Sequence, residues 1–487
     1  MSDLAFRSAL ELAAEIRAKR IGCRDLLELY LRRVERYNGA LNAVIATTLD
    51  AARRRADEAD KALTRGEVWG PLHGVPLTVK ESYDVAGLPT TWGAPEFKGA
   101  VATRNALAVD RLLAAGAVLF GKTNVPLMLS DWQSYNVIYG TTNNPWDVAR
   151  TPGGSSGGAA AALAAGLTAL EAGSDIGSSL RNPAHYCGIY AHKPTYGVVS
   201  PRGHAVGGRV AYADISVVGP LARSAADLEV ALAAMAGPDE TDAAGWRVEL
   251  PKPRHERLAD FRVAVLLSVP HAEVDRTVQD GVQAVADALA KAGATVSDRA
   301  RPELDTLAVD RLFRSLLGAA MSGRQPDDVF RRNLEKASQL APDDVSSAAL
   351  GLRAATLHHR DWLVGNEARH KMRLKWAEFF RDFDVLLCPP VTTPAFPHNH
   401  EGENPFARNV IVNGKERPIA DQLFWAGYSG LFYLPSTVAP AALTPQGLPT
   451  GVQIIGPQYG DLTTIRLARL LEREFRGFVA PPGYGGD

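Results

Sequence analysis

The sequence is short of cysteine and has no excess of charge of either sign. Its three cysteines, Cys23, Cys187 and Cys388, cannot build a disulfide framework, and their separation fits no metal-ligand spacing. We therefore expect a reducing compartment. Lysine and arginine together number 53, against 54 aspartates and glutamates. Because the two nearly cancel, no net field would attract nucleic acid or an anionic membrane, and neither is expected as a partner.

Long hydrophobic runs are also missing. Residues 1–20 carry Asp3, Glu11 and Glu15 among their apolar side chains, which does not match the basic and then apolar profile of a signal peptide. The most apolar stretch, residues 159–170, is short and dominated by alanine. Since a membrane-spanning helix needs about 20 apolar residues, none is expected, and we predict a soluble cytoplasmic protein.

What is present is typical of a folded protein. Hydrophobic residues make up 46% of the 487 residues and charged residues 22%, which argues against a disordered chain. The length fits two or three ordinary domains, or one large α/β domain with insertions. Residues 1–65 are predicted to be helical, with Asp25 and Glu28 as a capping-box variant at the start of one helix.

From about residue 75, short apolar runs alternate with helical patterns, which predicts βαβ units around a buried sheet. Residues 303–383 differ, because they are helical in pattern, rich in arginine and leucine, and poor in glycine. We interpret them as an inserted helical layer that serves as a lid, an interface or plain packing. The predicted strands are 75–79, 117–120, 262–267, 294–297 and 385–388, and the predicted helices are 105–115, 224–235, 274–292 and 463–475.

A glycine-serine loop, TPGGSSGG at residues 151–158, is the first candidate site. Its glycines carry a high entropic cost of ordering, so such a loop persists where the backbone approaches another group closely. A phosphate-binding loop is excluded because no lysine follows Gly158. The interpretation of this loop as a surface linker stays open. So does a nucleophile elbow, because residues 153–157 satisfy G-x-S-x-G, although the preceding residues 143–150 are polar and no downstream acid–histidine pair stands out.

A second loop follows at GSDIGSSLRNP, residues 173–183. Acyl transfer needs a hydroxyl nucleophile beside backbone N–H groups that hold the developing oxyanion, and a glycine-containing turn at 175–179 can supply such groups. In the alternative interpretation Asp175 caps the turn and Arg181 pairs with it. Both interpretations can hold together, since a braced turn keeps an oxyanion hole rigid.

Lys80 ends the apolar run GVPLTVK at residues 74–80. A lysine in this position is more often a surface residue whose stem lies along apolar surface. Its importance therefore depends on the two loops.

Taken together, these segments resemble the amidase-signature family. The resemblance extends from about residue 70 to residue 220 and returns near the C-terminus. The shared motifs are PLHGVPLTVK (71–80), GKTN (121–124), GGSSGG (153–158), GSDIGSS (173–179), CGIYAHKPTYG (187–197) and GLPTGVQIIG (447–456).

The resemblance implies a Ser–Ser–Lys triad. Lys80 matches the base of the family, Ser155 the relay serine that follows a cis peptide bond, and Ser179 the nucleophile. The separation of the two serines is the usual one, which favours Ser155 over Ser156. The oxyanion hole would be formed by the backbone N–H groups of Ile176, Gly177, Ser178 and Ser179.

The resemblance also implies an α/β fold in which a single large domain has a central mixed, twisted β-sheet wrapped by helices. In these terms residues 1–65 are an N-terminal helical segment and residues 66–487 are the amidase-signature domain, with the helical insertion at 303–383. Many members have glycine at the position of Ser178. A serine there restricts the backbone and adds a second hydroxyl beside Ser179.

The triad makes physical sense without a histidine. A serine hydroxyl is a poor nucleophile until a base takes its proton. Lysine can serve if burial lowers its pKa from about 10.4 toward neutrality. A relay serine then returns the proton to the leaving amine. No metal or organic cofactor is needed, and His73, His185 and His192 are interpreted as packing or hydrogen-bonding residues.

The expected reaction is hydrolysis of a carboxamide, with a small aryl or alkyl amide as the only partner that the sequence requires; a homodimer is compatible with it. Ser130 and Asp131 match a segment that lines the acyl pocket of relatives, although a capped turn explains them equally well. Three alternatives stay open: the amidase subunit of a tRNA-dependent amidotransferase, an esterase of α/β-hydrolase type, and a non-catalytic scaffold. Five aromatic residues could form an aromatic pocket, although such residues more often belong to the core: Trp132, Phe424, Trp425, Tyr428 and Phe432.

Overall fold

One mixed sheet runs through the centre of the molecule. In the computed structural model, which describes residues 4–344, 346–402 and 404–485, eleven strands form it in the order β1-β3-β2-β6-β8-β7-β14-β15-β11-β9-β10. The sheet strands are β1 (Val44–Thr47), β2 (Pro76–Lys80), β3 (Val118–Thr123), β6 (Glu171–Asp175), β7 (Tyr190–Lys193), β8 (Val217–Ala222), β9 (Arg262–Val265), β10 (Thr295–Ser297), β11 (Val385–Cys388), β14 (Ser436–Leu443) and β15 (Pro449–Ile455). The other four strands form two small hairpins outside this sheet. One hairpin pairs β4 (Tyr135–Asn136) with β5 (Gly140–Thr141), and the other pairs β12 (Asn409–Val412) with β13 (Lys415–Pro418).

Parallel and antiparallel pairs occur in separate blocks along this sheet. Strand β2 lies between β3 and β6 and is parallel to both. Strands β8, β7, β14 and β15 are joined by antiparallel pairs, and β11, β9 and β10 are parallel again. The predicted α/β fold with a mixed central sheet in one large domain is therefore confirmed.

Helices cover the sheet. The described residues form fourteen α-helices: α1 (Ala9–Arg17), α2 (Cys23–Leu41), α3 (Leu49–Thr64), α4 (Leu107–Ala114), α5 (Gly157–Ala164), α6 (Arg181–Cys187), α7 (Ala225–Met235), α8 (Arg276–Lys291), α9 (Thr306–Ser322), α10 (Asp327–Ser338), α11 (Ser347–Ala355), α12 (His359–Asp382), α13 (Gln422–Gly430) and α14 (Asp461–Glu474).

Helix α8 shows how the sequence specifies these elements. Asp275 caps it by accepting a hydrogen bond from the N–H of Thr277 at 3.0 Å. Val278, Val282 and Leu289 recur at helical spacing and are buried against the sheet. Each such side chain contributes roughly 1.5–3 kcal/mol on burial. The predicted helix at 274–292 is thus confirmed within two residues at its start.

Helix α5 follows the first glycine-serine loop and is entirely buried. Its sequence GGAAAALA has no polar side chain to hydrate, and Leu163 is its only large side chain. Small residues let its backbone lie close to β2, β6 and β8 in the middle of the molecule. The loop before it is therefore held between the sheet and a buried helix, and the surface-linker interpretation is wrong.

The N-terminal segment differs from the prediction in two places. Residues 44–47 form β1, an edge strand antiparallel to β3, where only helices were expected. Helix α2 begins at Cys23, and the Asp60 carboxylate of α3 accepts the N–H groups of Cys23 and Arg24. The expected Asp25–Glu28 capping box is therefore wrong, because a partner distant in sequence caps the helix. The division of the chain at residue 65 stays a prediction.

Two buried clusters organise the core. The larger joins α1, α2, α4, α7, α8 and α14 to the sheet, and the second joins α9, α12 and α13 to β9 and β11. Residues 303–383 contain α9 to α12, as their helical pattern predicts. No helix in the described ranges combines the length and the apolar character needed to cross a bilayer.

Candidate active site

Lys80 is the last residue of β2, near the middle of one half of the sheet. All five residues of β2 are buried, and Lys80 has no exposed surface. Its Nζ donates to Ser155 Oγ at 2.6 Å and to Ser174 Oγ at 2.9 Å. The structure thus brings the predicted base and the predicted relay serine into direct contact. Ser174 was not singled out from the sequence, since only the pairing of β6 with β2 places it here.

Ser155 lies in a loop that has no space for side chains at its glycines. The peptide bond between Gly154 and Ser155 is cis, as the resemblance implies. A Cβ atom on Gly154 would lie 2.3 Å from the carbonyl oxygen of Asp131, and one on Gly158 would lie 2.3 Å from the backbone nitrogen of Asn124. Neither backbone atom can turn aside, so these two glycines permit the close approach that positions Ser155.

The nucleophile-elbow alternative for Ser155 is wrong. An elbow places its serine on a sharp turn directly after a buried strand. In the described chain the strand that precedes Ser155, β5, ends at Thr141, and residues 142–156 contain no strand. Ser179, in contrast, does follow a buried strand, because β6 ends at Asp175.

Ser179 lies in the loop beside that of Ser155. The N–H of Ser156 donates to the carbonyl oxygen of Ser179 at 3.2 Å, which fastens the two loops together. Ser179 keeps 6% of its surface exposed. No hydrogen bond joins the side chains of Ser155 and Ser179 in the part of the chain that the structure describes. The two predicted serines are therefore neighbours without a direct bond.

Asp175 and Arg181 brace the Ser179 loop. The Asp175 carboxylate accepts the N–H groups of Ser178 at 2.9 Å and Leu180 at 3.0 Å. Arg181 binds both carboxylate oxygens, with Nη2 at 2.8 Å from Oδ1 and Nε at 3.0 Å from Oδ2. Burial alone would raise the pKa of Asp175, but the Arg181 charge lowers it to about 2. The alternative in which Asp175 caps the turn and pairs with Arg181 is thus confirmed.

The predicted oxyanion donors are not equivalent in the structure. The N–H of Ser178 is already engaged by the Asp175 carboxylate. The N–H groups of Ile176, Gly177 and Ser179 donate to no other group within the described residues. These three groups are therefore free to bind a developing oxyanion, and the fourth is not.

Ser178 occupies the position where glycine is usual. Its φ of 78° lies in the left-handed region that glycine adopts freely. Its side chain has no exposed surface, and its hydroxyl lies 3.5 Å from the carbonyl oxygen of Pro390. The second hydroxyl that Ser178 adds is therefore turned into the protein, while Ser179 keeps access to solvent.

Asp131 and Ser130 lie beside the first serine loop. The carbonyl oxygen of Asp131 faces Gly154, but its carboxylate forms a buried ion pair with Arg408 at 2.7 Å. Ser130 is half-buried, and its hydroxyl makes no hydrogen bond in the described chain. Arg408 gave no signal in the sequence, since it is far from Asp131 along the chain. A substrate contact by Ser130 or Asp131 stays a prediction.

Burial makes Lys80 a base near neutral pH. Complete desolvation lowers its pKa to about 7, although the nearby charges of Asp175 and Glu171 act in the opposite direction. Burial also raises the pKa of Glu171 to about 8, so this neighbour tends to be neutral and stabilises the charged lysine less. Thr78 Oγ1 donates to Glu171 at 2.6 Å. A substantial share of Lys80 is therefore unprotonated at pH 7.

A lowered lysine pKa does not mark the site on its own. Burial also lowers the pKa of Lys193 to about 7. Its Nζ, however, donates to the carbonyl oxygens of Leu434 at 2.5 Å and Pro194 at 3.2 Å, and contacts no hydroxyl nucleophile among the described residues. What distinguishes Lys80 is its pair of serine partners.

The histidines play the predicted packing and hydrogen-bonding parts. In the described residues none of the three bonds to Ser155 or Ser179. Their partners are the N–H of Trp69 for His73, the N–H of Gly451 and the carbonyl oxygen of Thr393 for His185, and Asp461 and Thr437 for His192.

The aromatic residues form core and not an open pocket. Trp132, Phe424, Trp425, Tyr428 and Phe432 all belong to the second buried cluster. Trp132 has an additional contact that sequence reasoning missed, because its indole Nε1 donates to the carbonyl oxygen of Gly177 at 2.8 Å. It therefore holds the loop of the free N–H groups in place.

Within residues 4–344, 346–402 and 404–485, no three histidine, cysteine or acidic side chains are grouped so as to hold a metal ion. The groups that the candidate site offers for chemistry are two serine hydroxyls, a buried lysine amine and three N–H groups that lack a partner within the described residues.

Comparisons with known proteins agree with this geometry. A protein-family model described as Amidase matches residues 25–465. The chain is 32% identical to a subunit of the glutamyl-tRNA(Gln) amidotransferase of Anaeromyxobacter sp. (strain K), covering 97% of both chains. It is also 32% identical to an indoleacetamide hydrolase of Bradyrhizobium diazoefficiens, covering 96% of this chain and 86% of that protein. The structure of a bacterial aryl acylamidase of the amidase-signature family superposes with a TM-score of 0.79 at 23% identity, covering 97% and 96% of the two chains, and so has the same fold.

Proposed function

Because this chain belongs to the amidase family, whose members hydrolyse amide C–N bonds, we propose that it cuts a small aryl or alkyl carboxamide through an acyl-enzyme on Ser179. The observation that carries the proposal is the 2.6 Å contact between Lys80 Nζ and Ser155 Oγ beneath the Ser179 loop. A fully buried lysine bonded to a serine hydroxyl is an arrangement suited to proton transfer.

In the first half-reaction Ser179 attacks the amide carbon. Its proton passes to Ser155, while the Ser155 proton passes to neutral Lys80. The tetrahedral intermediate then collapses, the C–N bond breaks, and the proton returns through Ser155 to the departing amine. In the second half-reaction water attacks the acyl-enzyme by the same relay and releases the carboxylic acid. Every proton that Lys80 takes up is given back within the half-reaction.

The oxyanion of each tetrahedral intermediate would be bound by the N–H groups of Ile176, Gly177 and Ser179. Donors that are fixed before the charge develops stabilise it without reorganising, and removal of one such donor from an enzyme costs roughly 100- to 1,000-fold in kcat. The Ser178 N–H is left out of the set because it already donates to Asp175.

The proposed substrate class rests on the size and chemistry of the substrate that the name of a relative gives. One relative is named as an indoleacetamide hydrolase, an enzyme for a small aryl amide. Ser179 keeps 6% of its surface exposed, and a carboxamide of that size would reach it through this exposed part. Hydrolysis of indole-3-acetamide, benzamide and short aliphatic amides is therefore the first activity to measure.

A second candidate function is supported by another relative. The glutamyl-tRNA(Gln) amidotransferase subunit is equally similar and is matched along nearly its whole length. In that case glutamine would be the substrate, and partner subunits would be needed. Purification of the tagged chain from its own cells separates the two: stoichiometric recovery of partner subunits favours the amidotransferase, and an active lone chain favours the small-amide hydrolase.

The nucleophile is tested with a fluorophosphonate that carries a reporter group. Mass mapping should find the adduct on Ser179, Ser179→Ala should abolish labelling, and Ser178→Ala should still be labelled at Ser179. Ser179→Ala should lower kcat by about 1,000-fold or more while the protein stays folded. An adduct on Ser155, Ser156 or Ser178 overturns the assignment.

A further inference from the structure

A cavity of about 480 Å³ lies next to the candidate active site, between residues 201–216 and the end of α9. We name it the arginine pocket, and its principal walls are Trp92, His204, Arg209, Tyr212, Ser216 and Arg324. None of the residues that line it is an aspartate or a glutamate. The pocket therefore has two positive side chains and no acidic one.

Arg324 is held in this pocket without an ionic partner. It follows the last turn of α9, and its guanidinium lies over the ring of Trp92, 4.6 Å from the ring centroid. In the described part of the chain its guanidinium forms no hydrogen bond and no ion pair. Burial and the charge of Arg209 lower its pKa to about 10, so it stays charged at neutral pH. A half-buried charge without a partner is costly.

Arg209 adds a second positive charge to the lining of the pocket. Its Nη1 donates to the carbonyl oxygen of Gly323 at 2.5 Å, which links residues 201–216 to the end of α9. Arg209 likewise forms no ion pair within the described ranges. The two arginines thus come from different segments and meet over one cavity.

The arginine pocket is close to the catalytic centre on two sides. His204 bonds to Ser82, two residues beyond Lys80, at 2.9 Å, and the Trp92 indole donates to the carbonyl oxygen of Ser82 at 3.1 Å. Ser216 directly precedes β8, whose first residue pairs with Asp175 at the start of the Ser179 loop. The charge of Arg324 is near enough to Lys80 to lower the lysine pKa. The arginine pocket therefore borders the segments that position Lys80 and the Ser179 loop.

We propose that the arginine pocket binds a carboxylate of the substrate, so that this enzyme prefers amides that also carry a carboxylate group. The guanidinium of Arg324 presents a planar fork that matches a carboxylate, and Trp92 fixes the plane of that fork before the substrate arrives. Arg209 would add a second donor. This inference rests on the proposed amidase function and narrows its substrate class to small aryl or alkyl amides bearing an anionic group.

The test compares matched amides with and without the carboxylate. The pairs are glutaramate with valeramide and 4-carbamoylbenzoate with benzamide, and the readout is the ratio of kcat/KM within each pair. Wild type should favour the carboxylate member by about tenfold or more. Arg324→Met should lower that ratio by about 10- to 100-fold, the range expected for a lost charge-assisted hydrogen-bonded pair, and Arg324→Lys should fall between.

A matched control comes from the same helix. Arg311 lies on the exposed face of α9 and does not line the arginine pocket, so Arg311→Met should leave the ratio unchanged. If circular dichroism shows that Arg324→Met is not folded, the ratio of kcat/KM within each pair is measured for Arg324→Lys and Arg209→Met instead. Wild type without a preference for the carboxylate member overturns the inference, as does a ratio that the Arg324 and Arg209 substitutions leave unchanged.

Binding of glutarate separates failure of the inference from failure of the proposed function. Glutarate, titrated calorimetrically, should bind wild type and Arg311→Met but bind Arg324→Met at least tenfold more weakly. We expect this difference in glutarate binding whether or not an amide is turned over. Glutarate binding without any amide turnover would count against the proposed function and not against the carboxylate site. Normal amide turnover together with no glutarate binding, or with equal binding to all three proteins, overturns the inference alone.

Discussion

Two regions of the molecule are built in opposite ways. One is the buried region around Lys80, Asp175 and Arg181, at the ends of β2 and β6 and the start of α6, which we name the floor; the other is the helical layer of α9 to α12. In the floor, Lys80, Asp175 and Arg181 have almost no exposed surface, Lys80 donates to Ser155, and Asp175 and Arg181 form an ion pair. In the helical layer, Leu374 is 71% exposed, and Arg324 faces a cavity without an ionic partner among the described residues. From this difference we predict that the chemistry depends on the floor, and that the layer influences substrate choice without taking part in the chemistry.

The largest effect is expected from Lys80 itself. Lys80→Ala should lower kcat/KM for an amide by about 1,000-fold or more, since both the base and the returned proton are lost. A matched p-nitrophenyl ester should lose less, because its leaving group hardly needs a proton. Lys80→Arg should not restore activity, since a guanidinium stays charged. The measurement is kcat/KM for both substrates, and equal losses for amide and ester would make Lys80 a structural residue.

The buried pair of the floor should dominate stability. Arg181→Met leaves the Asp175 carboxylate buried without its partner, which should lower the free energy of unfolding by about 3–5 kcal/mol. Urea denaturation measures it. The control is Arg257→Met, which breaks the exposed pair between Arg257 and Asp260 and should leave the midpoint within error. A similar midpoint for both variants would remove the distinction between floor and surface.

The pH dependence of activity should report the protonation of Lys80. Desolvation lowers the pKa of Lys80 to about 7, and Arg324 lowers it too, while Asp175, Glu171 and Glu81 raise it. The reaction needs neutral Lys80, so kcat/KM should fall by about tenfold per pH unit below that pKa and level off above it. Measurement of kcat/KM from pH 5 to pH 9 checks this; an acid limb that persists in Lys80→Ala would assign it to another group.

A smaller effect is expected where the two regions meet. Trp132→Phe removes the indole donor to the Gly177 carbonyl and should lower kcat by about fivefold, as for one lost hydrogen bond, with little change in KM. Trp425→Phe is the matched control, because its indole bonds to the carbonyl oxygen of Ala272 in the same aromatic cluster. Steady-state kinetics of both variants decides. If kcat falls equally in both, the effect is one of packing.

The smallest effect should come from the exposed side of the layer. Leu374→Ser on α12 changes a side chain that is mostly in solvent, so kcat/KM should stay within about twofold and the unfolding free energy within about 0.5 kcal/mol. Steady-state kinetics and urea denaturation check the two quantities. A large loss of activity would show that the layer shares in the chemistry and would break the comparison.

Residues that are close in sequence could be predicted, and residues brought together by the fold could not. The motifs point to Lys80, Ser155 and Ser179, because each of these residues lies in a glycine-rich or apolar pattern that a few neighbouring residues are enough to recognise. Helix α8 was predictable for the same reason, since its cap and its apolar face lie within one segment.

The missed features all depend on distant partners. Arg408 reaches Asp131 across most of the chain, and Ser174 meets Lys80 only because β6 pairs with β2. The N-terminus of α2 is capped by Asp60, which no local pattern around residue 23 reveals. The same limit applies to Arg324, which is an ordinary arginine in a helical segment until the fold places it over Trp92.

The Gly177–Ser178 peptide group is bound at both of its polar ends. Its carbonyl oxygen accepts from Trp132, and its N–H donates to Asp175. A peptide fastened in this way resists flipping, and it lies between the two peptide groups that carry the N–H groups of Gly177 and Ser179. We therefore expect the proposed oxyanion hole to be formed before catalysis starts. If it is, the first turnover of an amide should proceed without a lag.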